Sequence, residues 1–221
     1  MTSVKNFIGS TLGKKIMVAI SGLLFCFFLL FHFANNLIIL TGADNFNFLV
    51  SSLEKIKPLV RVLEALLLLI LVTHITNTVF LTIKNKKEGN SSKSKTESKH
   101  SPFSSRTMFF SGSILFIFIV THLSTFWYNF QITDDHSSYY RIVTDSQLGF
   151  GNIFITLLYL FAMIFLGFHI KHGFSSALIT LGIKSTVLGK LINKTAFLFW
   201  LVIPSGFFMI AFWFGILNGG G

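Results

Sequence analysis

Four histidines stand inside runs of otherwise apolar residues: His32 in "LLFHFANNLIIL", His74 in "LILVTHITNTVF", His122 in "FIFIVTHLSTFW" and His169 in "FLGFHIKHGFSSALITLG". An imidazole carries two ring nitrogens that hydrocarbon cannot satisfy, so each ring must bond a neighbouring helix or bind something else. The neutral ring is also a metal ligand. One such histidine is as readily explained by a bond to a neighbouring backbone as by ligation. Four of them, one in each of four runs, favour ligation. A fifth run, "TAFLFWLVIPSGFFMIAFWFGIL", has none and serves as an internal control.

The elements that must carry these residues are membrane helices. Of 221 residues, 52% are hydrophobic, 28 are Phe and 12% are charged, with a mean hydropathy of +0.71; the charged share is about half that of globular proteins. Apolar runs long enough to cross a ~30 Å hydrocarbon core fall at 16–41, 58–83, 105–129, 150–172 and 195–217. They predict an all-α integral membrane bundle of five transmembrane helices forming a single domain, 1–221. The single cysteine, Cys26, lies mid-membrane, which excludes a disulfide framework, a Cys-x-x-Cys motif and covalent haem attachment. The first run is too long for a signal-peptide core and lacks an Ala-x-Ala-like exit, so it reads as a mature helix. There is no phosphate-binding glycine loop, no nucleophile elbow and no evident repeat.

The net charge of +10 invites a nucleic-acid reading that its distribution argues against. Of the 18 basic residues, Lys5, Lys14 and Lys15, then Lys84, Lys86, Lys87, Lys93, Lys95, Lys99 and Arg106, then Lys171, Lys184, Lys190 and Lys194 fall on one side of the five runs. The other side has Lys55, Lys57, Arg61 and Arg141 with six of the eight acids, Asp44, Glu54, Glu64, Asp134, Asp135 and Asp145. The positive-inside rule puts the amino terminus in the cytoplasm and the carboxyl terminus outside. Residues 84–104, containing "NKKEGNSSKSKTESKHS", are expected to form a mobile cytoplasmic loop, either plainly solvated or touching anionic lipid or an acidic partner. The loop 130–149, with Trp127, Tyr128, Tyr139 and Tyr140 nearby, reads as an interfacial cap on the outer side.

Depth sorts the histidines. At ~1.5 Å of rise per residue, His32 lies ~24 Å from the inner end at Ile16 and His122 ~26 Å from Ser105, whereas His74 lies ~14 Å from Ile83. His169 is near the inner end marked by Lys171, and deeper if its helix continues through "GFSSALITLG". Two imidazoles at one depth, twice over, suit two stacked iron porphyrins with His32 and His122 on the outer iron and His74 and His169 on the inner. Zinc would want three or four ligands at one point, with thiolate or carboxylate help, and no such cluster is offered. Small residues beside the ligands, Ser21, Gly22, Ala34, Gly112, Gly167 and Gly173, allow close approach, which helix packing also explains. His172, three residues from His169, follows Lys171 at the wetter margin and is the second choice for the axial bond.

These residues resemble a family: the five-helix, di-haem cytochrome b membrane anchor of succinate dehydrogenases and fumarate reductases, respiratory complex II with one fused anchor chain. The resemblance covers nearly the whole chain and rests on "STLGKKIMVAISG", "SGLLFCFFLLFHFANNL", the His74 and His122 helices and, above all, "HIKHGFSSALITLG", which is similar to the family's His-x-x-x-Gly with His169 and Gly173 at the matching positions. It implies two haem b groups, a quinone (menaquinone), flavoprotein and iron–sulfur partner subunits on the cytoplasmic face, a bacterial-type inner (plasma) membrane, no nucleic acid, and no dicarboxylate site in this chain. Some fumarate reductases of the family carry a helix glutamate two residues before the last haem histidine, associated with proton compensation; Gly167 occupies that place here.

Family analogy also places the quinone on the outer side, with Arg61 and Glu64 as candidate contacts or simply as helix-end charges. Haem propionates need basic or hydroxyl partners, for which Arg141 and Tyr139 outside and Lys171 or Arg106 inside are candidates. His172 reads as a propionate partner, a contact to the iron–sulfur subunit, or a plain interfacial histidine. Two other functions share part of the pattern: a di-haem anchor for another respiratory dehydrogenase, and a haem-free transporter or assembly protein using the histidines as relays.

Overall fold

The computed structural model of the chain describes residues 2–91, 102–133, 135 and 137–218, with side chains described for 6–87, 107–133, 135 and 137–218. A short helix, α1 (Thr2–Gly9), precedes the first long one, α2 (Thr11–Leu37). Ser10 starts α2 by accepting a hydrogen bond from the Gly13 amide at 3.0 Å, satisfying one of the orphan donors of a helix start. α2 tightens into a 3-10 turn, Ile38–Thr41, and ends at Gly42, whose φ of 110° lies in the left-handed region that favours glycine. The chain then turns into α3 (Ala43–Lys55), lying outside the spans, and into the 35-residue α4 (Lys57–Ser91).

The second half repeats the long-helix theme with interruptions. α5 (Pro102–His122) loosens into a π-helical turn, Leu123–Trp127, before α6 (Tyr128–Ile132); α7 (Tyr139–Thr144) is a short helix outside the spans. α8 (Ile153–Thr180) starts where Asn152 Oδ1 accepts from the Phe154 amide and stops at Gly182, φ 71°. α9 (Val187–Phe197), a π-helical turn at Leu198–Val202, α10 (Ile203–Phe212) and a second π-helical turn at Trp213–Leu217 form one continuous span. Among the described residues, five segments are long and apolar enough to cross a membrane: Thr11–Thr41, Lys57–Lys87, Thr107–Ile132, Ile153–Thr180 and Val187–Leu217. The chain is therefore a multi-pass, all-helical membrane bundle.

Several boundaries differ from the sequence expectation. α4 continues to Ser91, so residues 84–91 are helix rather than loop; α5 already begins at Pro102, and 92–101 lie outside the described residues. α8 runs on through "GFSSALITLG" to Thr180, the continuation that deepens His169. The fifth span begins at Val187, before its apolar run, because Thr186 caps it: Thr186 Oγ1 accepts from the Gly189 amide at 2.9 Å.

α8 is the centre of the bundle, packing on α2, α5 and α10, while α4 leans on α2. In lipid, apolar side chains gain little by leaving hydrocarbon for one another, so close packing and interhelical polar bonds hold the helices. Pro204 lacks the N–H that would bond the carbonyl four residues back, that of Trp200, and the helix widens into its π turn just there. Gly167 of α8 faces this carbonyl so closely that a Cβ would stand 2.9 Å from Trp200 O. At the end of the bundle where α3 and α7 lie, a buried aromatic core, with Phe46, Phe126, Tyr139, Phe150, Tyr159 and Phe214, caps it. Asn47 ties α3 to α7 by donating to Ser137 O at 2.7 Å and accepting from the Tyr140 amide at 2.8 Å.

Candidate functional site

The helices bring His32 of α2 and His122 of α5 face to edge, with ring centroids 5.8 Å apart and planes at 89°. Phe28 stacks on His32 at 5.2 Å and Phe118 on His122 at 5.7 Å, each from one turn earlier on the same helix. Tyr159 of α8 places its hydroxyl 3.1 Å from His122 Nδ1. Asn36 Nδ2 lies 3.5 Å from His32 Nε2 while donating to the His32 carbonyl at 2.8 Å.

A second pair stands at the other level. His74 Nδ1 is 2.9 Å from Ser21 Oγ of α2, and His169 Nδ1 is 3.0 Å from Ser111 Oγ of α5. The glycine after each serine makes room for the ring: a Cβ on Gly22 would touch His74 Cε1 at 3.5 Å, and one on Gly112 would touch His169 Cε1 at 3.5 Å. His169 lies within Coulombic reach of His74 and of His172. Of the two neighbouring histidines on α8, His169 is the one that faces another helix, whereas His172 is exposed.

Paired imidazoles are a donor set that would suit axial ligation of a metal, and the ring separation can be set against that geometry. With about 2 Å per metal–nitrogen bond and about 1 Å from nitrogen to ring centre, two imidazoles on opposite faces of one metal sit about 6 Å apart; the His32–His122 centroids stand at 5.8 Å. His74, His122 and His169 each engage Nδ1 with a hydroxyl, the arrangement that orients a ligating histidine through its far nitrogen. Among the described residues no group of three or more His, Cys, Asp or Glu stands together, which does not suit a closed zinc site.

The remaining candidates sit around these pairs. Arg61 and Glu64 form an ion pair on α4, Arg61 also bonds Gln131, and Glu64 Oε1 accepts from Trp127 Nε1 at 2.8 Å, so the pair clamps α4 to the α5–α6 segment. The Arg61 guanidinium lies 5.6 Å from the Trp127 ring. Tyr139 is fully buried with its hydroxyl bonded to Glu54, and burial first, then that bond and the charges of Glu54 and Asp135, push its pKa up to about 12. Arg141 is exposed and 3.9 Å from Asp135. Lys171 turns toward α9–α10, with Nζ 4.6 Å from the Trp200 ring centre. The Arg106 side chain lies outside the described residues.

Sequence reading treated Ser21 only as a small residue and passed over Ser111 and Tyr159 altogether. A signal was present: "SGLLFCFFLLFH" and "SGSILFIFIVTH" share Ser-Gly, a phenylalanine and a histidine at identical spacing. It is a short internal repeat where none was expected. Comparison of the chain with protein-family models, with curated proteins and with solved structures finds no match.

Proposed function

We propose that this chain is the membrane anchor and di-haem cytochrome b subunit of a succinate:quinone oxidoreductase, passing electrons between a cytoplasmic iron–sulfur subunit and membrane quinone. The observation that supports the reading is the placement of intramembrane histidines from four helices at two levels, with the His32 and His122 rings 5.8 Å apart, close to the spacing two axial ligands of one metal would have. On this reading His32 and His122 hold the outer haem, and His74 and His169 the inner. A bound haem b supplies reversible one-electron transfer within a layer where no soluble carrier enters.

The protein's own work is to hold and insulate. Ser21, Ser111 and Tyr159 fix ring orientations, Gly22 and Gly112 leave space beside the rings, and Phe28 and Phe118 exclude water from the outer pair. The basic side, with 84–104 and Lys171, Lys184, Lys190 and Lys194, is proposed to be cytoplasmic and to receive the flavoprotein and iron–sulfur subunits. The quinone, menaquinone by family resemblance, is proposed to approach from the outer side near the Arg61–Glu64–Trp127 clamp, where the guanidinium has N–H donors beyond those bonded to Glu64 and Gln131. Its position decides the energetics, since one charge moved across the membrane is worth about 2.3 kcal/mol per 100 mV.

The test is purification of the full chain from its native membrane, followed by a reduced-minus-oxidised spectrum and identification of copurifying subunits. Two cytochrome b components together with a flavoprotein and an iron–sulfur protein are expected. A colourless preparation would sink the haem reading, and haem with a different dehydrogenase would move the chain to another class of anchor.

A further inference from the structure

The two halves of the chain carry one short pattern twice. Ser21-Gly22 is followed by Phe28 and His32, and Ser111-Gly112 by Phe118 and His122, at the same intervals. Eleven residues span close to three turns, so the serine and histidine of each pattern share a helix face about 16 Å apart. Neither serine serves its own histidine. Each instead receives the ring of a later helix: His74 on Ser21, His169 on Ser111.

Acceptor capacity decides where the protons are. A serine hydroxyl has one hydrogen to donate, and a carbonyl can only accept. Ser21 Oγ lies 2.7 Å from Met17 O and 3.1 Å from Val18 O, so its hydrogen is directed at its own helix. Ser111 Oγ does the same toward Met108 O at 3.1 Å. The short contacts to the rings are then donated by His74 Nδ1 and His169 Nδ1. For His74 the Val18 carbonyl is a further acceptor beside the same ring.

We infer that Ser21 and Ser111 are positioning residues that hold His74 and His169 as Nδ1–H tautomers, leave both Nε2 lone pairs for axial bonding, and so set the ligand strength of the inner pair alone. The outer pair is built differently, with a phenol at His122 and an amide at the Nε2 side of His32. An acceptor on Nδ1–H makes an imidazole a stronger donor to its metal. Stronger donation favours the oxidised ion, so losing one serine hydroxyl shifts the inner centre toward reduction, by at most about two- to tenfold for one neutral hydrogen bond.

The tautomer assignment stands on the hydrogen bonds alone; the effect on a metal rests on the proposed function. The two are tested separately on the full chain in membranes. Nitrogen-15 histidine NMR of the wild-type protein is expected to show Nδ1–H at His74 and His169, and Nε2–H at either would overturn the assignment even if every serine variant failed to fold. Redox titration of Ser21→Ala and Ser111→Ala is expected to raise the midpoint of the inner component in both, to leave the outer unchanged, and to be reversed by Ser21→Thr. Unmoved inner midpoints, or equal shifts of both components, would overturn the effect. A wild-type spectrum without haem bands would instead refute the functional reading and leave the NMR result to decide the tautomers.

Discussion

Gly22 offers the sharpest graded perturbation of the inner pair. A Cβ at this position would stand 3.5 Å from His74 Cε1, ordinary van der Waals contact. Gly22→Ala should therefore be tolerated, and by removing backbone freedom from the middle of α2 it should favour the helix by about 0.5–1 kcal/mol. Gly22→Val differs in kind. Each added carbon extends about 1.5 Å beyond Cβ, toward a ring that needs about 3.5–4.0 Å between carbon centres, so ring or helix must move. Overpacking of this sort costs about 1–3 kcal/mol, which is about 5- to 150-fold in occupancy of whatever the ring binds. On the proposed function the assay is the amplitude of the inner cytochrome component per chain, measured against the outer component as internal reference. Alanine should leave the ratio of the two unchanged and valine should depress the inner one. Loss already at alanine, or full retention at valine, would refute the claim that Gly22 exists to seat His74.

Four further outcomes follow from the same geometry. His32→Ala and His122→Ala should remove one and the same spectral component, and His74→Ala and His169→Ala the other, with His172→Ala sparing both; if His32→Ala and His74→Ala erase the same component, the pairing is wrong. Gly167→Ala should lower the melting temperature of the purified protein by an amount matching about 1–3 kcal/mol, because the new methyl meets the Trp200 backbone carbonyl rather than a movable side chain. Tyr139 is neutral when buried, and its pKa is pushed from 10.0 to about 12, so the stability it contributes is whole below pH 10 and is lost as pH rises toward 12; thermal melting across that window should fall less steeply in Tyr139→Phe. Labelling of Ser94→Cys with an impermeant thiol reagent should succeed only from the cytoplasmic face, and outside labelling would reverse which pair is inner.

The spans were legible because lipid imposes one rule everywhere: about twenty apolar residues, with internal backbone bonds. Helix ends were less so, since they depend on local chemistry that hydropathy does not register. α4 persists through Lys84, Lys86 and Lys87 because lysine is a good helix former that reaches water from a helix end. α9 starts at a threonine cap outside the apolar run. The outer helix α3 went unforeseen because its fixing bonds, such as Asn47 to the α7 backbone, join residues about ninety positions apart. The histidines announced themselves by being polar in apolar surroundings, while Ser21 and Ser111 did not, since small hydroxyl residues abound in membrane helices for packing alone. Gly167 makes the same point from the other side: its lack of a side chain answers the Pro204 bulge on a neighbouring helix, a partner that only the three-dimensional arrangement reveals.

Each half of the chain, before and after residues 92–101, contributes one histidine to the outer pair and one to the other level, together with the serine that receives its own half's inner histidine. In time, this means that the first helical hairpin leaves the ribosome with its Ser21–His74 contact ready and neither histidine pair closed. No two-histidine site exists until the second hairpin has been inserted and has found the first. On the proposed function a haem would enter only then and would clasp two separately made pieces, so a chain severed in the connection should still assemble wherever both pieces are made together.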